Sequence, residues 1–464
     1  MDATQDHISA RTLVTGQNLP PEVWTSVFLH YVQATSGPQP NTTRADILSR
    51  EGPVFLAHVC QRWRDIILTS GELWSSFSVY VDESSPKPSL LDMLALWIAR
   101  AGKYPLRFHL QYNPPPYARR WTSPAAGTRG VHTMNAVLRL LMPHVTRWHE
   151  AALCLPHQVL QPFKLDCIQN LRSFSIQAIG RSSQTVETLR SVLPTPLGWA
   201  RLESLRLNVG PLSLDDCFRA IEESPKLHTC SLRAECIALN NGAEYRRIRH
   251  TSLRTLDLRL VHCTSTIFVN PFALDASTST CFANFLDALD LPFLQSLDIH
   301  WLLHDGDPIA KSSHSTIFID FLSRSAEELH VIRLSNLLRD EAQLRSCLEA
   351  LPLLSEMDLR LPMSPHDDPF SEGLLRSLCS GNPASPTLIP LLTTLHLQCH
   401  GRALGGPGLI DVVNSRMQST SSRRLQHLDL YTHGPASHTL TARAEDWVAE
   451  GMCVQLGHLS SDNA

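Results

Sequence analysis

The chain has 464 residues, 43% of them hydrophobic and 18% charged, with a formal net charge of -4. That length exceeds one ordinary core and predicts several domains or a repeat array. The composition is that of a folded chain, and the charge gives no global attraction for nucleic acid or an anionic membrane. No apolar run approaches the roughly 18 residues of a membrane span. The start, Met1-Asp2-Ala3-Thr4-Gln5-Asp6, lacks the basic-then-apolar order of a signal peptide. A cytoplasmic or nuclear location is therefore expected. None of the 12 cysteines forms a Cys-x-x-Cys pair, so they read as reduced, small apolar residues with no metal role.

Residues 1–17 carry no periodicity and are expected to be flexible. Leu19-Pro20-Pro21-Glu22 starts a helix, because proline lacks the N–H that would go unpaired in a first turn and the positive helix end favours an acid. Val23, Trp24, Val27, Phe28 and Tyr31 then make a wide apolar face. Residues 33–53, with Gly37, Pro38, Pro40, Gly52 and Pro53, read as an inserted loop with a helical turn near Ala45–Leu48. A second helix is expected over Val54–Leu68, with Phe55, Val59, Trp63, Ile66 and Ile67 on one face. Ser70-Gly71 ends it, Leu73-Trp74 follows, and Ser78-Val79-Tyr80-Val81 alternates as a strand. So much aromatic surface cannot be buried within about 55 residues. It must pack either on the downstream domain or on a partner.

Three spaced motifs, Leu19-Pro20-Pro21-Glu22, Val59-Cys60-Gln61-Arg62-Trp63 and Leu73-Trp74, resemble the F-box, and the long loop between the helices is similar to that of F-box-like proteins expanded in mushroom-forming fungi. The resemblance implies an F-box at 18–80 that binds the linker protein Skp1, and through it a cullin and a RING subunit. By position, Leu19, Pro20, Pro21, Val23, Val27 and Phe28 would supply much of the linker contact, with Val59, Cys60 and Trp63 forming core and contact.

Downstream, an apolar-x-x-apolar-x-apolar pattern recurs nine times, at Leu171/Phe174/Ile176, Leu202/Leu205/Leu207, Leu227/Cys230/Leu232, Leu253/Leu256/Leu258, Leu294/Leu297/Ile299, Leu329/Ile332/Leu334, Leu354/Met357/Leu359, Leu392/Leu395/Leu397 and Leu425/Leu428/Leu430. The spacing of 25 to 41 residues falls in the leucine-rich-repeat range with insertions. Helical stretches lie between copies, at 215–222, 316–329, 341–351 and 371–378, and Pro225, Pro292, Pro352 and Pro390 turn the chain back into the next strand. The expected fold class is α/β: a short helical F-box, then a curved leucine-rich-repeat solenoid over 81–464 with a parallel β-sheet on its concave face. Residues 81–170 read as irregular leading repeats, with a helix at Leu90–Ala101, strands at 105–110 and 145–155, and a surface loop over Asn113–Gly130.

Residues between the leucines of a strand point to the opposite face. They give acids in one phase, Asp257, Asp298, Asp358 and Asp429, with Arg259 and Arg360 two residues after Asp257 and Asp358. The face reads either as a self-satisfied charged ladder or as a groove binding a target protein, with Arg206, Arg233, Arg259, His300, Trp301, Arg333, Arg360 and Tyr431 as candidate contacts. There is no Gly-x-Ser-x-Gly, phosphate-binding glycine loop or His-Glu-x-x-His, so no catalytic residue, cofactor or metal is expected. His396, Cys399 and His400 are too awkwardly placed on a strand for a metal site. The resemblance then implies a non-catalytic, substrate-recognising adaptor of a Skp1-cullin-F-box ubiquitin ligase. The alternative is a scaffold that binds the linker or another partner outside any ligase.

Overall fold

In the computed structural model the residues described are 19–35, 45–47, 52–83, 88–114, 128–160, 170–179, 199–235, 245–261, 281–302, 315–325, 327–338, 340–361, 369–379, 388–399, 407–418, 423–432 and 438–458. The expectation of a flexible segment at 1–17 lies outside them, as does most of the Asn113–Gly130 loop. The chain divides into two compact units, 1–159 and 160–464, so the first extends well past the motif boundary at residue 80.

The first unit opens with α1 (Pro21–Thr35), whose first turn is closed by the Val23 and Trp24 N–H groups on the Pro20 carbonyl. Ala45–Asp46 is not a helical turn but a short strand, β1, paired parallel to β2 (Ser76–Asp82). Its pairing is continued by Ile47, whose N–H donates to the Ser78 carbonyl. The single helix expected over 54–68 is two, α2 (Pro53–Leu56) and α3 (Gln61–Thr69). The break has a local cause: Cys60 is extended, and its Sγ accepts the Trp63 N–H as an N-cap. After a 3₁₀ turn at Gly71–Trp74 the chain runs through β2, α4 (Pro88–Ala101), β3 (Leu106–Asn113), α5 (Thr128–Leu141) and β4 (Trp148–Pro156), with β1 to β4 adjacent and parallel in that order. Trp74 is fully buried, edge-on to Trp97, with the Arg100 guanidinium 4.4 Å from its ring centroid.

In the second unit the leucine triplets become strands: β5 (Ser173–Ile179), β6 (Ser204–Ser213), β7 (Thr229–Glu235), β9 (Thr255–Val261), β11 (Ser296–Leu302), β12 (Val331–Ser335), β13 (Glu356–Arg360), β14 (Thr394–Cys399) and β15 (His427–Thr432). A tenth, β16 (Cys453–His458), adds to the end. All pair in parallel in that order, and the two-residue strands β8 (Ile248–Arg249) and β10 (Leu289–Asp290) form a separate parallel pair. Register is strict across the later repeats: Leu256, Leu297, Ile332, Met357, Leu395 and Leu428 lie abreast, as do Leu258, Ile299, Leu334, Leu359, Leu397 and Leu430. Every member of the nine triplets is buried. Because one such strand cannot bury its apolar side alone, stacking supplies the core.

Return helices stand between strands at Leu214–Glu222, Ser315–Ser325, Glu341–Glu349, Glu372–Leu378, Pro407–Gln418 and His438–Ala449, with a further one over 281–287. Ser213, Asp340 and Ser371 cap three of them by accepting the N–H three residues on. The second unit is thus mixed α/β, built from strand–helix repeats on a parallel sheet. No helix among the described residues is long and apolar enough to cross a membrane.

Candidate functional site

Two surfaces carry the residues singled out above, one in each unit. In the first unit Trp24, Phe28 and Trp63 pack together, with ring centroids 5.6 Å (Trp24–Phe28), 5.2 Å (Trp24–Trp63) and 4.8 Å (Phe28–Trp63) apart. This cluster joins α1 to α3. The join is reinforced by Arg62 Nη2 donating to the Leu19 carbonyl at 2.7 Å and by the Thr25 and Ser70 hydroxyls 3.0 Å apart. Phe28 is buried and Trp63 half-buried, so these two are structural more than available.

The other residues implied by the resemblance point outward. Leu19 is half-buried, and Pro20 and Pro21 are exposed. Val23 and Val27, one helical turn apart on α1, are 42% and 47% exposed, and Val59 is 53% exposed. Cys60 is exposed and acts as a cap, not as core. The structure adds two residues to this set, Phe55 on α2 and Leu68 on α3. Five of the eight large apolar side chains exposed among the described residues, Val23, Val27, Phe55, Val59 and Leu68, therefore come from this one helical segment. Exposed apolar residues are unremarkable singly; here five of them fall between residues 23 and 68. Phe55 was legible only as part of an apolar face; once the chain breaks at Cys60, that face no longer turns inward as a unit.

The second surface is the polar face of the sheet. Asp257, Asp298, Arg333, Asp358, His396, Asp429 and Gln455 lie abreast on successive strands from β9 to β16, and Ser231 and Arg206 continue the row towards β6. Two residues further along, Arg233, Arg259, His300, Ser335, Arg360, Gln398, Tyr431 and Gly457 form the next row. Much of this face is self-satisfied. Arg360 donates to both oxygens of Asp358, at 3.3 and 3.1 Å; Arg333 pairs with Glu356; His396 Nδ1 lies 2.7 Å from Asp429 Oδ2. The Tyr431 ring packs against Gly457, where a Cβ would collide with it.

Trp301 is on the other face. It is in register with Leu260, one residue beyond the outward His300, and its ring stands edge-on to Phe282 at 5.7 Å. It is half-buried on the leucine side of the sheet, as the strand's two-residue period requires.

His300 bridges two side chains: Nδ1 is 2.6 Å from Ser335 Oγ, and Nε2 is 2.8 Å from Asp298 Oδ1. The Asp–His–Ser order was invisible in the sequence until the strands were aligned, although each residue's offset from its leucine pair encodes the alignment. It is the order of a hydrolase's acid, base and nucleophile. Three features set it apart. Asp298 Oδ1 sits off the ring N–H direction and makes no hydrogen bond. Ser335 is buried. The next backbone N–H, on Asn336, is already given to the Arg360 carbonyl at 2.7 Å and so is not offered to an oxyanion. Asn336 itself has φ 58° and donates its side-chain amide to the Trp301 carbonyl, which fixes the strand end. The arrangement is a polar brace between β11 and β12.

Among the described residues no group of three or more His, Cys, Asp or Glu side chains is placed to hold a metal ion. Burial pushes the thiols of Cys154, Cys230 and Cys347 upward, which keeps them protonated and unreactive. No known family model matches the sequence, and comparison with curated proteins gives no match.

Proposed function

We propose that the chain is a non-catalytic adaptor whose α1–α3 segment docks a Skp1-like linker protein and whose repeat unit holds a target protein. The observation that carries this reading is the coincidence of two independent features in one segment. The F-box-like motifs begin at Leu19-Pro20-Pro21-Glu22, and among the described residues most of the exposed large apolar side chains, Val23, Val27, Phe55, Val59 and Leu68, fall within the same stretch. The Trp24–Phe28–Trp63 cluster holds the helices together from within and leaves the valines outside. On this reading the second unit is a leucine-rich-repeat solenoid. The chain's chemistry is positional: it raises the effective concentration of a target near a ubiquitin-charged enzyme through the linker, cullin and RING subunit.

The test is capture of the linker and of cullin by the full chain, with Val23→Asp/Val27→Asp as the variant. Both positions are exposed, so the fold should survive, and two desolvated carboxylates should lower capture at least about tenfold. Capture unchanged by the double substitution would refute the assignment. Capture of linker without cullin would favour a scaffold outside a ligase.

A further inference from the structure

The polar face of the repeat sheet is unevenly neutralised, and the imbalance is local. From β11 to β15 each basic side chain named above has an acidic or hydroxyl neighbour: His300 has Asp298 and Ser335, Arg333 has Glu356, Arg360 has Asp358, and His396 has Asp429. At β6, β7 and β9 the pattern fails. Arg206, Arg233 and Arg259 stand on three adjacent strands, with Arg233 and Arg259 directly abreast. Asp257 is the one carboxylate paired there among the described side chains. Its Oδ2 accepts the Ser231 hydroxyl at 2.7 Å, while its Oδ1 lies 3.7 Å from Arg259 Nε, too far for a hydrogen bond. Arg206 is exposed and has no hydrogen-bond or ion-pair partner among the described residues. Arg233 is half-buried, and its Nε is fully buried without a partner.

A guanidinium N–H buried without an acceptor is costly, and a protein seldom retains one unless something supplies that acceptor. We propose that this cluster is the recognition point for an acidic, extended segment of the target, carrying carboxylates two residues apart. The proposal rests on the adaptor reading and names the chemistry of the target. Among the described side chains, three guanidiniums against one carboxylate leave an excess of two positive charges, which two carboxylates would balance. Geometry agrees. Neighbouring strands are about 4.8 Å apart and alternate residues of a strand about 6.7 Å, so the diagonal from Arg206 to Arg233 spans about 8 Å. The same rise places alternate carboxylates of an extended peptide about 7 Å apart, one for Arg206 and one for the Arg233–Arg259 pair. Arginine's planar fork suits paired N–H donation to a carboxylate.

The probe is a labelled Gly/Ser peptide of about nine residues bearing two glutamates two residues apart, titrated into the full chain by fluorescence anisotropy. It should bind at least about tenfold more tightly than the same peptide with glutamines. Arg206→Glu/Arg259→Glu should abolish that preference, and Asp257→Asn, which removes the competing carboxylate, should strengthen binding several-fold. Both variants should capture the linker as the parent does, and Val23→Asp/Val27→Asp should leave peptide binding intact. A failure here is thereby distinguished from failure of the adaptor reading. Equal binding of the glutamine probe, or indifference to charge reversal, would overturn the proposal. So would binding confined to a phosphoserine version of the probe, or equal competition by a short oligouridine.

Discussion

Arg416 provides the sharpest test of how the repeat unit is held together. It lies on the helix Pro407–Gln418 and is fully buried, and it forms no ion pair with a carboxylate among the described residues. Its guanidinium donates to three backbone carbonyls: Nε to Leu378 at 2.9 Å, Nη1 to Ile389 at 3.0 Å and Nη2 to Leu388 at 2.7 Å. Those carbonyls belong to the end of one return helix and to the turn leading into β14, where Ile389 takes φ 45°. The side chain therefore ties two consecutive repeats where the chain re-enters the sheet. Burial pulls the guanidinium down to about 10, with the neighbouring Cys379 acting in the opposite sense, so the group remains charged at neutral pH.

In Arg416→Met the stem volume is kept and the donors vanish. Hydrogen bonds to a charged donor contribute about 1.5–3 kcal/mol each. Opposing them is the desolvation reflected in the lowered pKa, about 3 kcal/mol at 1.36 kcal/mol per pKa unit. The expected net loss is about 2–5 kcal/mol, local to the repeats around β14. Arg416→Lys should fare almost as badly, because one compact ammonium cannot meet three carbonyls spread across a fork. Amide hydrogen exchange of the full chain is the assay, since a repeat array opens locally before it unfolds globally. Protection should fall across Thr394–Cys399 and the helix Pro407–Gln418 while β2 to β4 remain unaffected. Full protection in Arg416→Met would mean that those carbonyls find other donors and that the guanidinium is not a tie.

Two further outcomes follow from buried groups. His250 Nδ1 accepts the Leu253 N–H at 3.1 Å, so the proton is on Nε2, which donates to the Ser224 carbonyl at 2.9 Å; burial holds its pKa below the ordinary imidazole value. Below about pH 6.5 the unfolded chain then takes up the proton first, so this contribution to stability is complete above that value and is lost as pH falls towards the folded pKa. His250→Gln should flatten that part of an acid denaturation profile, and an unchanged slope would assign the effect to other groups such as His157, also lowered by burial. Gly457→Ala should push the Tyr431 ring aside and expose the β15–β16 edge to limited proteolysis, and parent-like resistance would show that the ring has somewhere else to lie.

The repeat strands were legible because the triplets name them directly: a leucine two or three residues from the next can serve both positions only if the chain is extended and one side is buried. What escaped did so for local reasons. In β16 the leading apolar position falls on Gly451, at φ 91°, so no triplet is visible although Val454 and Leu456 keep register with Leu428 and Leu430. The helix at 128–141 starts inside the stretch Asn113–Gly130 that reads as a loop, and the helices at 407–418 and 438–449 are not among the helical stretches read from the sequence. The break at Cys60 was hidden because Val59 and Trp63 keep helical spacing across a residue that caps instead of continuing. Trp301 was misplaced because its strand runs one residue beyond the outward His300, which returns it to the core side.

The candidate surfaces were less legible than the fold, and strand alternation explains why. Each leucine layer is fixed by its neighbours through burial and register, so the same apolar pattern must recur in every repeat. The residues between them meet solvent, and an exposed ion pair contributes only about 0–1 kcal/mol. The polar face is therefore free to vary from strand to strand at little cost to the fold, and no repeat rule predicts it. Its content must be read by asking which charges lack a counterpart after the strands are aligned. The same separation holds in the first unit, where Trp24, Phe28 and Trp63 fix the helices and Val23 and Val27 are left outside. In both places the residues that maintain the fold and the residues proposed to recognise a partner are different side chains on the same element. Charge reversal at Arg206 and Arg259, or at the two valines, can thus change recognition while sparing the structure that presents it.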